Sequence, residues 1–312
     1  MSFAASLTIP TRNRAGILRE CILSALNQTV PVEIIVLDDG STDNTEEMIR
    51  TEFPQVRYER FLQGPNGPCV LRNRGARMAS ADILFPIDDD SVFSSNTCVE
   101  TTLAEFNDPQ IGAVAIPYIQ ITEDDILRSN APDDKKIYVC PSYLGASYAI
   151  RKDVFLGVGG YREPLFYMGE ERDLCIRMLE HGYVVRLGMA DPIHHHTSPV
   201  RDASRARRLE RRNDISHVLW NVPMPHVFYH LPGTILTGIV HGVRLHYLPL
   251  TLKAYLDALL FCRRHLGERL PVSSRTYLLS RKLNRIRVLP IEEVTAEMGP
   301  LVPFPKHTQD HA

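Results

Sequence analysis

The chain has 312 residues, 44% hydrophobic and 23% charged, with a formal net charge of −2. That length buries a substantial core without disulfide staples, and the near-neutral balance provides no global basic field for nucleic acid. The six cysteines, Cys21, Cys69, Cys98, Cys140, Cys175 and Cys262, include no CxxC pair, which predicts reduced, buried thiols in a cytoplasmic protein. No signal-peptide pattern is read before strand-like sequence begins. No run reaches ~18 uncharged apolar residues, so no spanning helix is expected.

Residues 6–9 form a short apolar run that stops at Pro10. Ile17, Leu18, Cys21, Ile22 and Ala25 then recur at helical spacing. Residues 32–37 read as a buried strand running into Asp38-Asp39-Gly40-Ser41, and Asp43 with Glu46 forms a capping box for the next helix. Residues 56–61 are a predicted strand, 68–79 a helix, and 83–87 a strand entering Asp88-Asp89-Asp90. This alternation with short links implies a parallel sheet with right-handed crossovers. Thr11, the Asp38–Ser41 group and the three aspartates all follow strands. Ligands of open parallel sheets bind beyond the carboxyl ends of the strands, so these motifs point to one crevice. Taken alone, the aspartates also fit an acidic turn capping a helix near Ser94 and Ser95.

Residues 111–118 and 143–150 read as strands, the latter containing Gly145-Ala146-Ser147. Residues 169–182 read as a helix with Leu174, Cys175, Met178 and Leu179 on one face, and 184–187 as a strand that leads to His194-His195-His196. From residue 216 the pattern becomes helical and apolar, broken by prolines. The predicted division is 1–215 as the main domain, 216–299 as a helical region and 300–312 as a flexible tail.

Ile9-Pro10-Thr11-Arg12-Asn13-Arg14, the segment from Val36 through Asp39-Gly40 to Asp43, Leu71-Arg72-Asn73-Arg74-Gly75 and the three aspartates resemble, in order and spacing, glycosyltransferase family 2. Gly169-Glu170-Glu171-Arg172-Asp173-Leu174 resembles its acidic helix start. The resemblance covers about residues 4–200. It implies an α/β fold of the GT-A type, a Rossmann-like, mostly parallel sheet flanked by helices, here with a C-terminal helical extension. It also implies an inverting, metal-dependent transfer of a sugar. The donor is a UDP- or dTDP-sugar, the acceptor a glycan or lipid-linked saccharide, and the cofactor Mn²⁺ or Mg²⁺.

The resemblance carries roles to individual residues. Asp90 would hold the metal and Asp88 the ribose or the metal. Asp89 joins the nucleotide-binding set as the middle residue, without a named role. Asp39 would accept from the imide N–H of uracil or thymine, with Pro10, Thr11 and Arg12 lining the same pocket. Arg72 would support the base site or the diphosphate. Glu171 stands where the family has an aspartate and is the candidate base, with Asp173 the second choice. Residues spaced i, i+1 and i+3 do not share one helix face, so Glu170, Glu171 and Asp173 cannot all enter the cleft, and acidic residues also favour a helix N-terminus through its dipole. His195 is the candidate histidine ligand, and alternation turns His194 and His196 to the opposite face. Zinc is a poorer fit, because consecutive histidines do not suit one tetrahedron.

Six arginines crowd residues 201–212: Arg201, Arg205, Arg207, Arg208, Arg211 and Arg212. They fit a solvated helix face, a site for a diphosphate or an anionic acceptor, or a rest on anionic headgroups. The apolar residues 231–260 fit peripheral contact with the inner face of the cell membrane, a homodimer interface, or packing on the main domain. Two other functions share the metal aspartates. One is a nucleotidyltransferase that makes sugar nucleotides, which would place a Gly-rich loop where Pro10–Arg14 stand. The other is a non-catalytic sugar-nucleotide-binding module.

Overall fold

The computed structural model describes residues 2–121, 123–196 and 202–304. Arg201 of the arginine cluster, Thr197 to Pro199 after the histidines, and residues 305–312 of the expected tail lie outside the described residues.

The first half alternates as expected: β1 (Ala5–Thr11), α1 (Ala15–Leu26), β2 (Val32–Asp38), α2 (Thr45–Glu52), β3 (Arg57–Arg60), α3 (Pro68–Met78) and β4 (Ile83–Pro86). β1 does not stop at Pro10. It pairs with β2 through Thr11 and Asp38, but with β4 only over Ser6–Thr8. Thr8 turns its carbonyl towards the β4 side, where it accepts from the Ile87 N–H. Pro10 faces the same side, beyond the last rung, so its missing N–H leaves no bond unmade. The expected capping box is absent. Asp43 accepts from the backbone N–H of both Ala15 and Thr45, the first residues of α1 and α2, while Glu46 pairs with Arg50 and Arg60.

Next come β5 (Ser91–Phe93), α4 (Cys98–Ala104), β6 (Ile111–Ala115), β7 (Tyr118–Gln120), β8 (Leu127–Arg128), β9 (Tyr138–Cys140), β10 (Tyr148–Arg151) and α5 (Lys152–Gly157). The single strand expected over 111–118 is two strands in different sheets, parted at Pro117. The strand expected from Tyr143 shortens to β10, because the preceding residues turn back through a Leu144–Ser147 bridge. The chain continues with α6 (Glu170–Glu180), β11 (Val184–Leu187), β12 (Ile193–His195), α7 (Ala203–Asn221), α8 (Met224–Arg244), α9 (Leu248–Arg264), α10 (Ser274–Ile286), β13 (Leu289–Pro290) and α11 (Ile291–Glu297).

The strands form a nine-stranded sheet, ordered β13-β9-β11-β6-β10-β4-β1-β2-β3, and a four-stranded sheet, β5-β12-β7-β8. Following the pairings, only β9 and β10 run against the common direction of the large sheet, so it is mostly parallel. Its faces are covered by separate apolar clusters. One includes Leu18, Ile22 and Phe85, and another Tyr148, Phe155 and Leu174. All six cysteines are buried and unpaired.

The boundary expected at 215/216 falls inside α7, which runs unbroken from Ala203 to Asn221. The region beyond it packs back on the main domain, since β13 extends the large sheet beside β9. Residues 301–304, assigned to the flexible tail, pack too. Val302 donates to the His181 carbonyl, and Phe304 stacks on Tyr183. By contrast, α8 and α9 leave Leu236, Val240, Leu252, Leu256 and Leu259 exposed. No helix among the described residues is long and apolar enough to cross a membrane.

Candidate active site

The carboxyl ends of β1, β2 and β4 meet at a pocket of about 340 Å³, whose walls include Thr11, Arg14, Asp39, Asp90, His195 and Arg205. Pro10, Arg12, Asp88 and Asp89 complete the predicted set that it gathers. Arg72, Glu171 and Asp173 stand outside its walls.

The three aspartates are not a helix cap, since they run directly into β5. Their carboxylates take three different environments. Asp89 is buried and accepts from Thr11 Oγ1 and Arg14 Nη1, both at 2.7 Å. Burial pushes its pKa up to about 6, against the pull of Arg14. Asp89 is thus an internal anchor between β1 and the aspartate turn. Asp88 is partly exposed and receives Arg72 Nη2 at 2.5 Å. Asp90 is buried. Its Oδ2 accepts from Arg14 at 2.9 Å, while its Oδ1 lies 3.2 Å from His195 Nε2 and has no hydrogen-bond partner among the described residues. Burial opposes the charge on Asp90, yet His195 and Arg14 hold its pKa below the ordinary carboxylate value.

His195 arrives through strand pairing. β12 lies antiparallel to β5, so His195 pairs with Ser91, the residue after Asp90, and the His196 N–H donates to the Asp90 carbonyl. The His195 ring is buried and its Nδ1 contacts Gln120 Oε1 at 2.6 Å. An Nδ1–H donated to that oxygen leaves Nε2 facing the aspartates. Ligand atoms from Asp88, Asp90 and His195 all lie within 4.8 Å of one another. Two carboxylates, an imidazole and a buried carboxylate oxygen without a donor make a fitting set for a hard divalent cation, Mn²⁺ or Mg²⁺.

Asp39 follows β2. Its carboxylate accepts from the backbone N–H of Asn66 and Gly67 and from the Asn66 side chain. A carboxylate offers roughly four lone-pair directions, so one further donor can be met on the pocket side. Arg12 is exposed at the rim.

Behind the aspartates, Arg72 is almost fully buried on α3. It joins Asp88 to the Gly145 carbonyl at 2.9 Å and to Glu170 at 3.5 Å. Glu170 is enclosed, and burial together with the neighbouring Glu171 carboxyl pushes its pKa up to about 8. Glu171 accepts from the Gly145 N–H at 3.2 Å, and burial raises its pKa. A Cβ at Gly145 would stand 2.7 Å from Glu171 Oε1 and 3.1 Å from Arg72 Nη1, so a larger residue there would push both side-chain ends aside. α6 is entered through Phe166, Met168 and Gly169, all at positive φ. Phe166 and Met168 pay for that conformation, and Asn213 of α7 holds the segment by donating to the Leu165, Tyr167 and Met168 carbonyls.

Asp173 is placed elsewhere. It is buried among Arg162, Arg177 and Asn221, with contacts of 2.6, 2.8 and 2.7 Å. The second-choice base is therefore a tie between α6, α7 and the segment before α6. Burial opposes its charge, but Arg177 and Arg162 draw its pKa down to about 2. Asp173→Asn is expected to destabilise the fold by about 3 kcal/mol, because two buried guanidinium groups lose their counter-charge. Urea unfolding checks this. The depressed pKa also sets a pH dependence. The Asp173 contribution is complete above the unfolded value of 3.8 and fades as pH falls towards 2, a loss of about 2 kcal/mol in the parent that the Asn variant should lack.

Arg14 belongs to the site but was not among its predicted members. Its signal was its place in the first motif, three residues after the end of β1.

Residues 6–151 match the glycosyl transferase family 2 profile. Validoxylamine A glucosyltransferase of Streptomyces hygroscopicus subsp. jinggangensis is 34% identical over 116 residues, 36% of this chain and 27% of that protein. Glycosyltransferase GlyG of Streptococcus pneumoniae is 30% identical over 128 residues, 40% of this chain and 42% of that protein. The chain thus spans less than half the length of these curated relatives. Among solved structures, S. aureus TarS in complex with UDP-GlcNAc superposes with a TM-score of 0.61 at 15% identity, covering 95% of this chain and 90% of that one. The mannosyltransferase PcManGT from Pyrobaculum calidifontis, in complex with GDP-Man and Mn²⁺, gives 0.56 at 15% identity, covering 95% and 86%. The architecture is that of the GT-A glycosyltransferases. Its strand-end aspartates in that frame, together with the profile match over residues 6–151, support a family 2 glycosyltransferase.

Proposed function

We propose that the protein is an inverting glycosyltransferase that moves a sugar from a UDP or dTDP donor to a glycan or lipid-linked acceptor by direct displacement, with Mn²⁺ or Mg²⁺ as cofactor. The observation that carries this reading is the convergence of Asp88, Asp90 and His195 ligand atoms within 4.8 Å, in the pocket that also holds Asp39. A divalent cation held there would neutralise the charge growing on the departing diphosphate. Asp39 receives the base, and Pro10, Thr11 and Arg12 bound its slot. Asp89 and Arg14 fix the aspartate turn rather than touch the donor. Arg72 holds Asp88 in position through its guanidinium. Glu171 takes the acceptor proton as the hydroxyl attacks the anomeric carbon opposite the leaving group, and burial raises its pKa, which makes it a stronger proton acceptor than an ordinary carboxylate. The exposed apolar faces of α8 and α9 fit a peripheral contact with the inner face of the cell membrane, with a second copy of the chain as the competing occupant.

The test is a thermal-shift panel of UDP, dTDP and GDP with and without Mn²⁺. A cognate nucleotide at 100 times its Kd should stabilise by about 2.7 kcal/mol. A metal-dependent shift with UDP or dTDP is expected; no shift with any nucleotide sinks the reading.

A further inference from the structure

Beside the donor pocket lies a second cleft of about 670 Å³, between α7 and α9. The two clefts share a wall, since Asp202 and Arg205 line both. Arg205, Arg208 and Arg212 reach the second cleft from α7 at spacings of three and four residues, which puts them on one helix face. Lys253 and Arg264 approach from α9. Against these five cations the lining holds two carboxylates, Asp202 and Asp257.

Neither carboxylate neutralises the excess. Asp257 is engaged by Arg208. Asp202 caps α7 by accepting from the Arg205 N–H at 2.9 Å. Among the described residues no carboxylate pairs with Arg205, Arg212, Lys253 or Arg264. Arg212 is the most telling of these. Its guanidinium lies 3.9 Å over the Phe261 ring and donates to the Leu165 carbonyl, both neutral partners. Burial accordingly lowers its pKa to about 10. A desolvated cation without a counter-ion is costly, and a bound anion would offset that cost.

We infer that this cleft receives a phosphate group of the acceptor, so that the acceptor is a phosphate-bearing saccharide or its lipid-linked counterpart. The inference rests on the transferase reading above and names the acceptor class for that same site. Guanidinium forks match phosphate oxygens, and a net excess of positive charge around one cleft suits a di-anion better than a single carboxylate. An acceptor anchored there presents its sugar across the Arg205 wall to the donor pocket. Arg205 itself stacks over Phe166, another wall of the donor pocket, so the boundary is built from both sites.

The test uses the full chain saturated with UDP and Mn²⁺, which fills the donor pocket first. Its nucleotide-induced thermal shift is read separately and reports on the transferase reading alone. Glycerol 1-phosphate is then titrated. In parallel, binding is measured to vesicles of phosphatidylcholine with and without phosphatidylglycerol. The comparison protein is Lys253→Glu with Arg264→Glu, both at exposed positions. Loss of even one charged contact is expected to weaken binding at least about tenfold. A weakened response to glycerol 1-phosphate alone supports a soluble phosphorylated acceptor. A parallel loss of binding to the phosphatidylglycerol vesicles supports a lipid-borne phosphate. The inference is overturned if the double variant keeps both responses, if the UDP-saturated parent binds neither probe, or if UDP abolishes glycerol 1-phosphate binding, which would give the cleft to the donor.

Discussion

Asp90→Asn is expected to lower sugar-nucleotide turnover about 10³-fold, the effect of losing several kcal/mol of transition-state charge stabilisation. The substitution preserves shape and the contact with Arg14, but removes the charge next to Oδ1, the buried oxygen without a donor. Mn²⁺ titration of turnover is the measurement. The variant should need far more metal, and chelation should abolish activity in the parent. Unchanged turnover with unchanged metal response would remove Asp90 from the mechanism. Asp89→Asn makes the contrasting case. Its partners are Thr11 and Arg14, so its effect should fall on the stability of the aspartate turn.

Glu171→Gln is expected to lower kcat about 10³-fold, within the range for a general base, with nucleotide binding retained. Glutamine still accepts from the Gly145 N–H but cannot take a proton. The pH profile separates a base from a structural residue. Because the pKa of Glu171 is raised and the ionised form is the active one, kcat should climb with pH above the ordinary carboxylate range and then level off. The Gln variant should lose that limb. A variant with the same rising limb at lower amplitude would assign the base elsewhere.

Much of the site was legible because its parts follow strands. Asp38–Asp39 and the three aspartates are read directly from apolar runs that end in polar residues, and a parallel sheet brings such ends together. The division of labour among the aspartates was not legible. It depends on Arg14, which reaches across 75 and 76 residues to Asp89 and Asp90. The same holds for Asp173. Near a helix start, any acidic residue fits both the dipole and a catalytic role. Its partner Asn221 lies 48 residues away, on a helix whose continuity through the predicted boundary no local pattern revealed. The missing capping box is a smaller case of the same kind, since Arg60 on β3 competes for Glu46. Local propensity located the elements, and long-range charge pairing then reassigned the polar residues on them.

The run of three histidines that begins in β12 has a consequence for strand alignment. If β12 slid by one residue against β5, another imidazole, from His194 or His196, would occupy the rung beside Ser91. The histidines therefore cannot enforce their own alignment. Ile193 can. It is 1% exposed within the core behind β1, and a one-step slip would turn it out to the opposite face. Exposing that side chain costs about 1.5–3 kcal/mol, enough to disfavour the slipped pairing by roughly tenfold or more. An aliphatic residue that touches no ligand thus selects which imidazole the aspartates meet, and Ile193→Ser should leave a mixture of alignments where the parent has one.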